Sequence, residues 1–242
     1  MSGLVAMLAS AGSWAQSAES QRNDETASVK EPMVYYGISV EQLEYRFQDE
    51  DLLVWEGDAF VGTDEWKLRW QSEGEYLRDE REFETLENQF TLQHPISYYY
   101  DAKAGLRIDT PEGTDRAYLV LGVHGLAPQW FEIDADLFVS EHADISARLE
   151  TEYELLVTNR IILTPTAESN VAFSDDEEAG VGAGLSDIEL GLRLSYDLIE
   201  RNVAPYIGVN YERKFGKTAD FASDEGEDDE QFAVVAGVRL LF

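Results

Sequence analysis

Residues 231–242 read QFAVVAGVRLLF, and their alternation tells how the rest of the chain is to be read. In an extended strand Phe232, Val234, Ala236, Val238, Leu240 and Phe242 share one face, while Ala233, Val235, Gly237, Arg239 and Leu241 share the other. The first face is wholly apolar. The second carries an arginine and a glycine, so it suits neither lipid nor a dry core. Such a strand is greasy on one side and wet on the other.

The same period of two runs back to residue 34, punctuated by turn residues, and divides the chain into about twelve strands. In the first, Val34 to Gln48, the phase changes near Glu41, where Ile38 and Val40 give way to Leu43, Tyr45 and Phe47; one inserted residue, a bulge, is expected there. Glu65 to Leu77 sets Trp66, Leu68, Trp70 and Tyr76 against Lys67, Arg69, Gln71, Glu73 and Glu75. Trp130 to Val139 sets Phe131, Ile133, Ala135, Leu137 and Val139 against Glu132, Asp134 and Asp136. Faces this charged must meet water or counter-charges. A protein of this length cannot bury so many of them in a dry centre, whereas a barrel with its polar side inward can hold them all.

The expected fold is therefore all-β: a transmembrane antiparallel up-and-down β-barrel of about twelve strands, an even number as a bacterial single-chain barrel needs. Turn lengths agree. The connections around Gly62-Thr63, His94-Pro95, Ala127-Pro128, Thr158-Asn159 and Arg201-Asn202 are short and are assigned to the periplasm. The longest, Ser174 to Gly184 and Gly216 to Glu230, both follow odd strands, are acidic, and are assigned to the extracellular side. They read as solvated loops, with weak divalent-cation binding as the sharper alternative. Outward aromatics such as Tyr36, Trp66, Tyr76, Tyr196 and Phe242 lie toward strand ends, as interfacial girdles do.

The amino terminus reads differently. Leu4 to Gly12 is a short apolar stretch followed by Ser13-Trp14-Ala15, a small-x-small cleavage pattern, so residues 1–15 are expected to be a signal peptide cut after Ala15. No Lys or Arg precedes the apolar stretch, and the true start is expected to be displaced. Residues 16–33 are polar and aperiodic and read as a flexible periplasmic lead, leaving 34–242 as the barrel. No run of about eighteen apolar residues is present to make a membrane-spanning helix.

Across its 242 residues the chain carries 49 acidic and 18 basic residues, a net charge of −31 that excludes nucleic acid as a partner and favours cations. Surface solvation is the bland account of the same charge. There is no cysteine, hence neither a disulfide framework nor a thiolate metal site.

Several stretches resemble the outer-membrane copper resistance protein B family. They are DAKAGLR (101–107), VLGVHGLAPQWFEIDA (120–135), SARLE (146–150) onward through Arg160, GLSDIELGLR (184–193), APYIGV (204–209) and ERKFG (212–216), together with the closing strand. The similarity runs over about residues 35 to 242. It implies an outer-membrane barrel in a Gram-negative envelope, in contact with outer-membrane lipid, that contributes to copper tolerance by binding copper or passing it across the outer membrane. Copper ion is then the ligand, and a periplasmic copper oxidase or copper carrier is the candidate protein partner. Many members carry a methionine- and histidine-rich amino-terminal region. Here the methionines are Met1, Met7 and Met33, so the thioether trap that Cu(I) prefers is missing.

Alternation places roughly eighteen carboxylates against about ten basic groups on the inner wall. A negative bore concentrates cations; its structural alternative is a ladder of Arg–carboxylate pairs filling the bore, with Arg69, Arg107, Arg148, Arg193 and Arg239 available. Cu(II) favours imidazole with oxygen ligands. Of the three histidines, His124 is the first candidate, close to Glu132 and Asp134 on the next strand, while His94 and His142 read as turn residues. Glu150, Glu152, Asp187 and Glu189 complete the metal candidates, chosen by sign and by expected lumen position. A porin-like or structural barrel without metal chemistry is the alternative function. No catalytic residue is assigned; His142, between Glu141 and Asp144, is the one loose constellation an enzyme reading would use.

Overall fold

The computed structural model describes residues 33–48, 51–77, 82–110, 115–199, 202–226 and 228–242. The expected signal peptide and lead lie outside the described residues, Met33 excepted.

Among the described residues twelve strands span the fold: β1 (Tyr35–Phe47), β2 (Leu52–Gly62), β3 (Lys67–Leu77), β4 (Glu82–Pro95), β5 (Tyr100–Asp109), β6 (Arg116–Ala127), β7 (Phe131–Ser140), β8 (Ile145–Glu152), β9 (Ile161–Ala172), β10 (Gly184–Tyr196), β11 (Val203–Lys214) and β12 (Glu230–Leu241). A two-residue piece, Leu155–Leu156, continues β8 after a break and pairs with β9. Each strand pairs antiparallel with its successor, and β12 pairs with β1, so the sheet closes into a barrel without a free edge. The expected phase change is a bulge. The ladder to β2 slips between Val40 and Gln42, and the ladder to β12 slips between Val40 and Glu44, so Glu41 is the inserted residue.

Alternation sorts the side chains as the sequence implies. On β6, Leu119 and Leu121 are 59% and 56% exposed on the outside, and Val120 between them is 1% exposed within. Exposed Tyr36, Trp66, Tyr99, Trp130 and Phe242 stand at the end with the short turns, and Phe47, Phe83 and Phe232 toward the other. With this apolar exterior and closed sheet the molecule is built as an outer-membrane barrel.

One difference from the sequence reading lies in the long connection before β12. Gly216–Glu225 forms a helix, α1, between two glycines at positive φ, Gly216 (57°) and Gly226 (88°). Thr218 and Ala222, four residues apart, give it one buried face, and Thr218 Oγ1 accepts from the Gly182 amide at 3.0 Å. The acidic composition that suggested a solvated loop describes only its outer side. The other long connection is tied down as well, since Arg116 on β6 binds the carboxylate of Asp176.

Inside, the seam of the barrel is held by charge. The Glu44 side chain has no exposed surface. It accepts from Arg46 Nε at 3.0 Å, from Arg193 Nε and Nη2 at 2.9 Å each, and from the Tyr206 hydroxyl at 3.0 Å. β1, β10 and β11 thus meet on one carboxylate. Removing it would leave two buried guanidinium groups facing each other. Glu44→Ala is expected to cost about 3–5 kcal/mol of stability, read as a lowered unfolding midpoint in detergent, with Glu44→Gln less harmful because its amide oxygen still accepts.

Candidate metal centre

The strands aim their polar faces at two connected spaces. A central cavity of about 320 Å³ is lined by all seven residues expected to bind metal: His124, Glu132, Asp134, Glu150, Glu152, Asp187 and Glu189. A wider vestibule of about 610 Å³ opens at the short-turn end, between Tyr35, Phe60, Lys67 and Phe242. Glu41, Arg69, His124 and Glu132 line both spaces and so form the neck between them.

His124 reaches that neck from β6, directly paired in register with Asp134 on β7. Its Nδ1 lies 3.3 Å from Asp134 Oδ2, and its Nε2 lies 3.7 Å from Glu132 Oε1. Of the expected set these three are gathered. Glu150 and Glu152 face Asp134 and Glu132 across the β7–β8 ladder. Asp187 and Glu189 lie apart, on β10, where Asn170 donates to Asp187 at 2.9 Å and Arg46 to Glu189 at 2.8 Å. His94 stacks on Trp66 outside the barrel, and Asp144 beside His142 accepts from Ser140 and Ser174.

The register also lines up like charges. Asp134, Glu150, Glu168, Glu189 and Glu212 are paired in succession from β7 to β11, and Glu56, Glu73 and Glu87 from β2 to β4. Carboxylates opposed in this way repel one another and need cations between them. Arg148 supplies one, with Nη1 3.0 Å from Glu87, 3.3 Å from Glu73 and 3.8 Å from Glu150, and Nε 3.2 Å from Glu168. Because β8 lies opposite β3 and β4, this guanidinium ties the two walls together across the bore. Arg69 reaches from β3 to Asp134 on β7 at 3.7 Å, and Arg239 from β12 to Glu154 at 2.6 Å. The ladder of Arg–carboxylate pairs is thus present, and it crosses the lumen.

Sequence reasoning named Arg69, Arg107, Arg148, Arg193 and Arg239 as inward arginines but left out Glu44, Arg46 and Arg116, the last buried at the start of β6. The alternation that resumes after the bulge would have placed Arg46 and Glu44; nothing in the sequence marks Lys103 as different from other wall residues.

The donor set at the neck, one imidazole and two carboxylates, is the kind Cu(II) takes. Asp134 is shared there, its Oδ2 3.3 Å from His124 Nδ1 and its Oδ1 in contact with the Lys103 ammonium. The donors do not already converge: among the described residues no three His, Cys, Asp or Glu side chains form a ready-made metal cluster. The chemistry fits, and the geometry requires Asp134 to be freed from its cationic neighbours.

Comparison with known proteins gives this interior a context. The family profile described as Copper resistance protein B precursor (CopB) matches residues 34–242. Copper resistance protein B of Escherichia coli is 38% identical over 216 residues, which is 89% of this chain and 72% of that protein. A copper resistance protein B homolog of Pseudomonas syringae pv. tomato is 38% identical over 194 residues, 80% of this chain and 65% of the relative, so this chain spans just under two thirds of that protein's length. Among solved structures, a NanC porin superposes with a TM-score of 0.52 at 11% identity, over 85% of this chain and 99% of the porin, a likeness of fold. With a family profile over the whole barrel and relatives matched over most of its length, the chain belongs to the copper resistance protein B family.

Proposed function

We propose that the barrel contributes to copper tolerance by holding copper on its lumen wall, as Cu(II) between His124, Glu132 and Asp134. The observation that carries this reading is the position of His124. It is the histidine that lines the bore, it stands at the neck between vestibule and cavity, and Glu132 lies 3.7 Å from its Nε2, so an ion on that nitrogen has one carboxylate at hand and is joined by Asp134 once that side chain swings over from Nδ1. An ion entering from the vestibule passes Asp64, Asp58 and Glu41 and reaches His124 and Glu132 at the neck. Beyond them Glu150, Glu152, Asp187 and Glu189 provide a negative field that draws cations inward and screens them from loss.

Short turns face the periplasm in outer-membrane barrels, so the vestibule is the side from which a periplasmic copper carrier or copper oxidase would exchange metal. A secretory signal over residues 1–15 accords with the word precursor in the family's description. Hard oxygen donors and a single imidazole favour the divalent ion over Cu(I). The protein acts by binding, and no residue is assigned to catalysis.

Retention is favoured over free conduction because Arg148, Arg69 and Arg239 tie opposite walls together. In planar bilayers the wild type is expected to conduct poorly, and Arg148→Gln is expected to raise conductance and cation selectivity by cutting the tie to Glu73 and Glu87. A wild-type conductance as large as that of an open general porin would argue for passage instead.

Cu(II) titration tests the site itself. Replacing both His124 by Ala and Glu132 by Gln is expected to weaken binding about tenfold or more, with loss of the nitrogen signature from the electron paramagnetic resonance spectrum. An unchanged titration in the folded double variant would exclude this site.

A further inference from the structure

Lys103 takes no part in the function just described, yet it is a fully enclosed cation in contact with Asp134, beside the neck. Its side chain has no exposed surface, and its ammonium lies between two carboxylates of β7, in contact with Asp134 and 2.7 Å from Asp136 Oδ2. The lysine itself belongs to β5, and β6 runs between. Gly122 of β6 makes this crossing possible. It is the register partner of both Lys103 and Asp136, and a Cβ there would collide with Asp136 Oδ1 and come within 2.8 Å of Lys103 Cε.

Both contacts are ion pairs of hydrogen-bond length, so any cation that takes Asp134 must compete with the ammonium for it. Asp136 would keep the displaced lysine, because it already lies 2.7 Å from the ammonium and stands on the far side of Asp134 from Glu132.

We propose that Lys103 is a tethered stand-in for the metal: its ammonium neutralises Asp134 while copper is absent, and an incoming Cu(II) displaces it from Asp134 and leaves it on Asp136. This rests on the copper site proposed at His124, Glu132 and Asp134. The exchange is one of ion pairs, with no bond made or broken in the protein. It explains why the donors stand apart in the metal-free barrel, since Asp134 is turned toward the ammonium and not toward the imidazole alone. It also sets a threshold. A bound ion must outcompete a cation attached to the wall, so monovalent ions and sparse divalent ions leave the site closed, whereas copper in excess opens it.

The experiment uses the full chain in detergent micelles, with Cu(II) as the probe, followed by visible absorption and electron paramagnetic resonance. Lys103→Gln removes the competing charge and is expected to bind Cu(II) about tenfold tighter or more, with the same nitrogen-and-oxygen spectrum reached at lower copper. Lys103→Arg, which keeps the charge and adds donors, is expected to bind no tighter than wild type. Lys103→Gln with Asp136→Asn removes both members of the parked pair and carries the same comparison should the single variant fail to fold. If His124→Ala weakens wild-type binding while neither Gln variant tightens it, the stand-in role is overturned and the copper site stands. If His124→Ala leaves wild-type binding unchanged, the site falls and the stand-in with it.

Discussion

Carboxylates aimed into a closed sheet cannot leave it, and how each finds a cation is the constraint that shapes this barrel. The outside of the sheet meets hydrocarbon, so the charged residues of the spanning strands are turned toward the bore, with Arg213 and Glu230 at strand ends as exceptions. There the low polarizability of the walls strengthens both attraction and repulsion. Glu44 shows the solution in its smallest form: one carboxylate, two guanidinium groups and one phenol, with every oxygen engaged and no water required. Pairing of this kind joins strands far apart in sequence and braces the barrel from within, in place of an apolar core.

Acid outnumbers base on that wall, and the surplus is concentrated rather than spread. The succession from Asp134 to Glu212 along β7 to β11 puts like charges side by side in register, and the three arginines that reach it, Arg69, Arg148 and Arg46, serve more than one carboxylate each. A soluble protein would relieve such a belt by moving side chains into water. In this bore relief comes from guanidinium groups shared among carboxylates, as Arg148 is among Glu73, Glu87, Glu150 and Glu168.

The two ends of the barrel are unlike. At the short-turn end the vestibule leads to a neck with one imidazole. At the other end the long connections fold inward on themselves: Arg116 holds Asp176, Lys217 donates to Asp175 at 2.6 Å, and α1 buries Thr218 and Ala222. Access to the central cavity is thereby wider on one side. A ligand that exchanges through the vestibule can be retained without a moving gate, because the far end is braced and the middle is crossed by Arg148.

Much of this was legible in the sequence, and the reason is the strict period of a strand. Once residues 231–242 show which face is greasy, parity assigns inside and outside for nearly every spanning residue, and a break in parity near Glu41 announces the bulge. The same parity placed His124, Glu132 and Asp134 on the inner wall, and their closeness along the chain put them on adjacent strands. Parity is blind to distance around the ring. It could not foresee that Arg148 on β8 would meet Glu73 on β3, that Glu44 would collect arginines from β1 and β10, or that Lys103 would cross β6 over Gly122 to reach Asp134. Those contacts depend on closure and stagger of the sheet, which bring strands of distant sequence face to face across a narrow bore, and no local pattern of residues encodes that meeting.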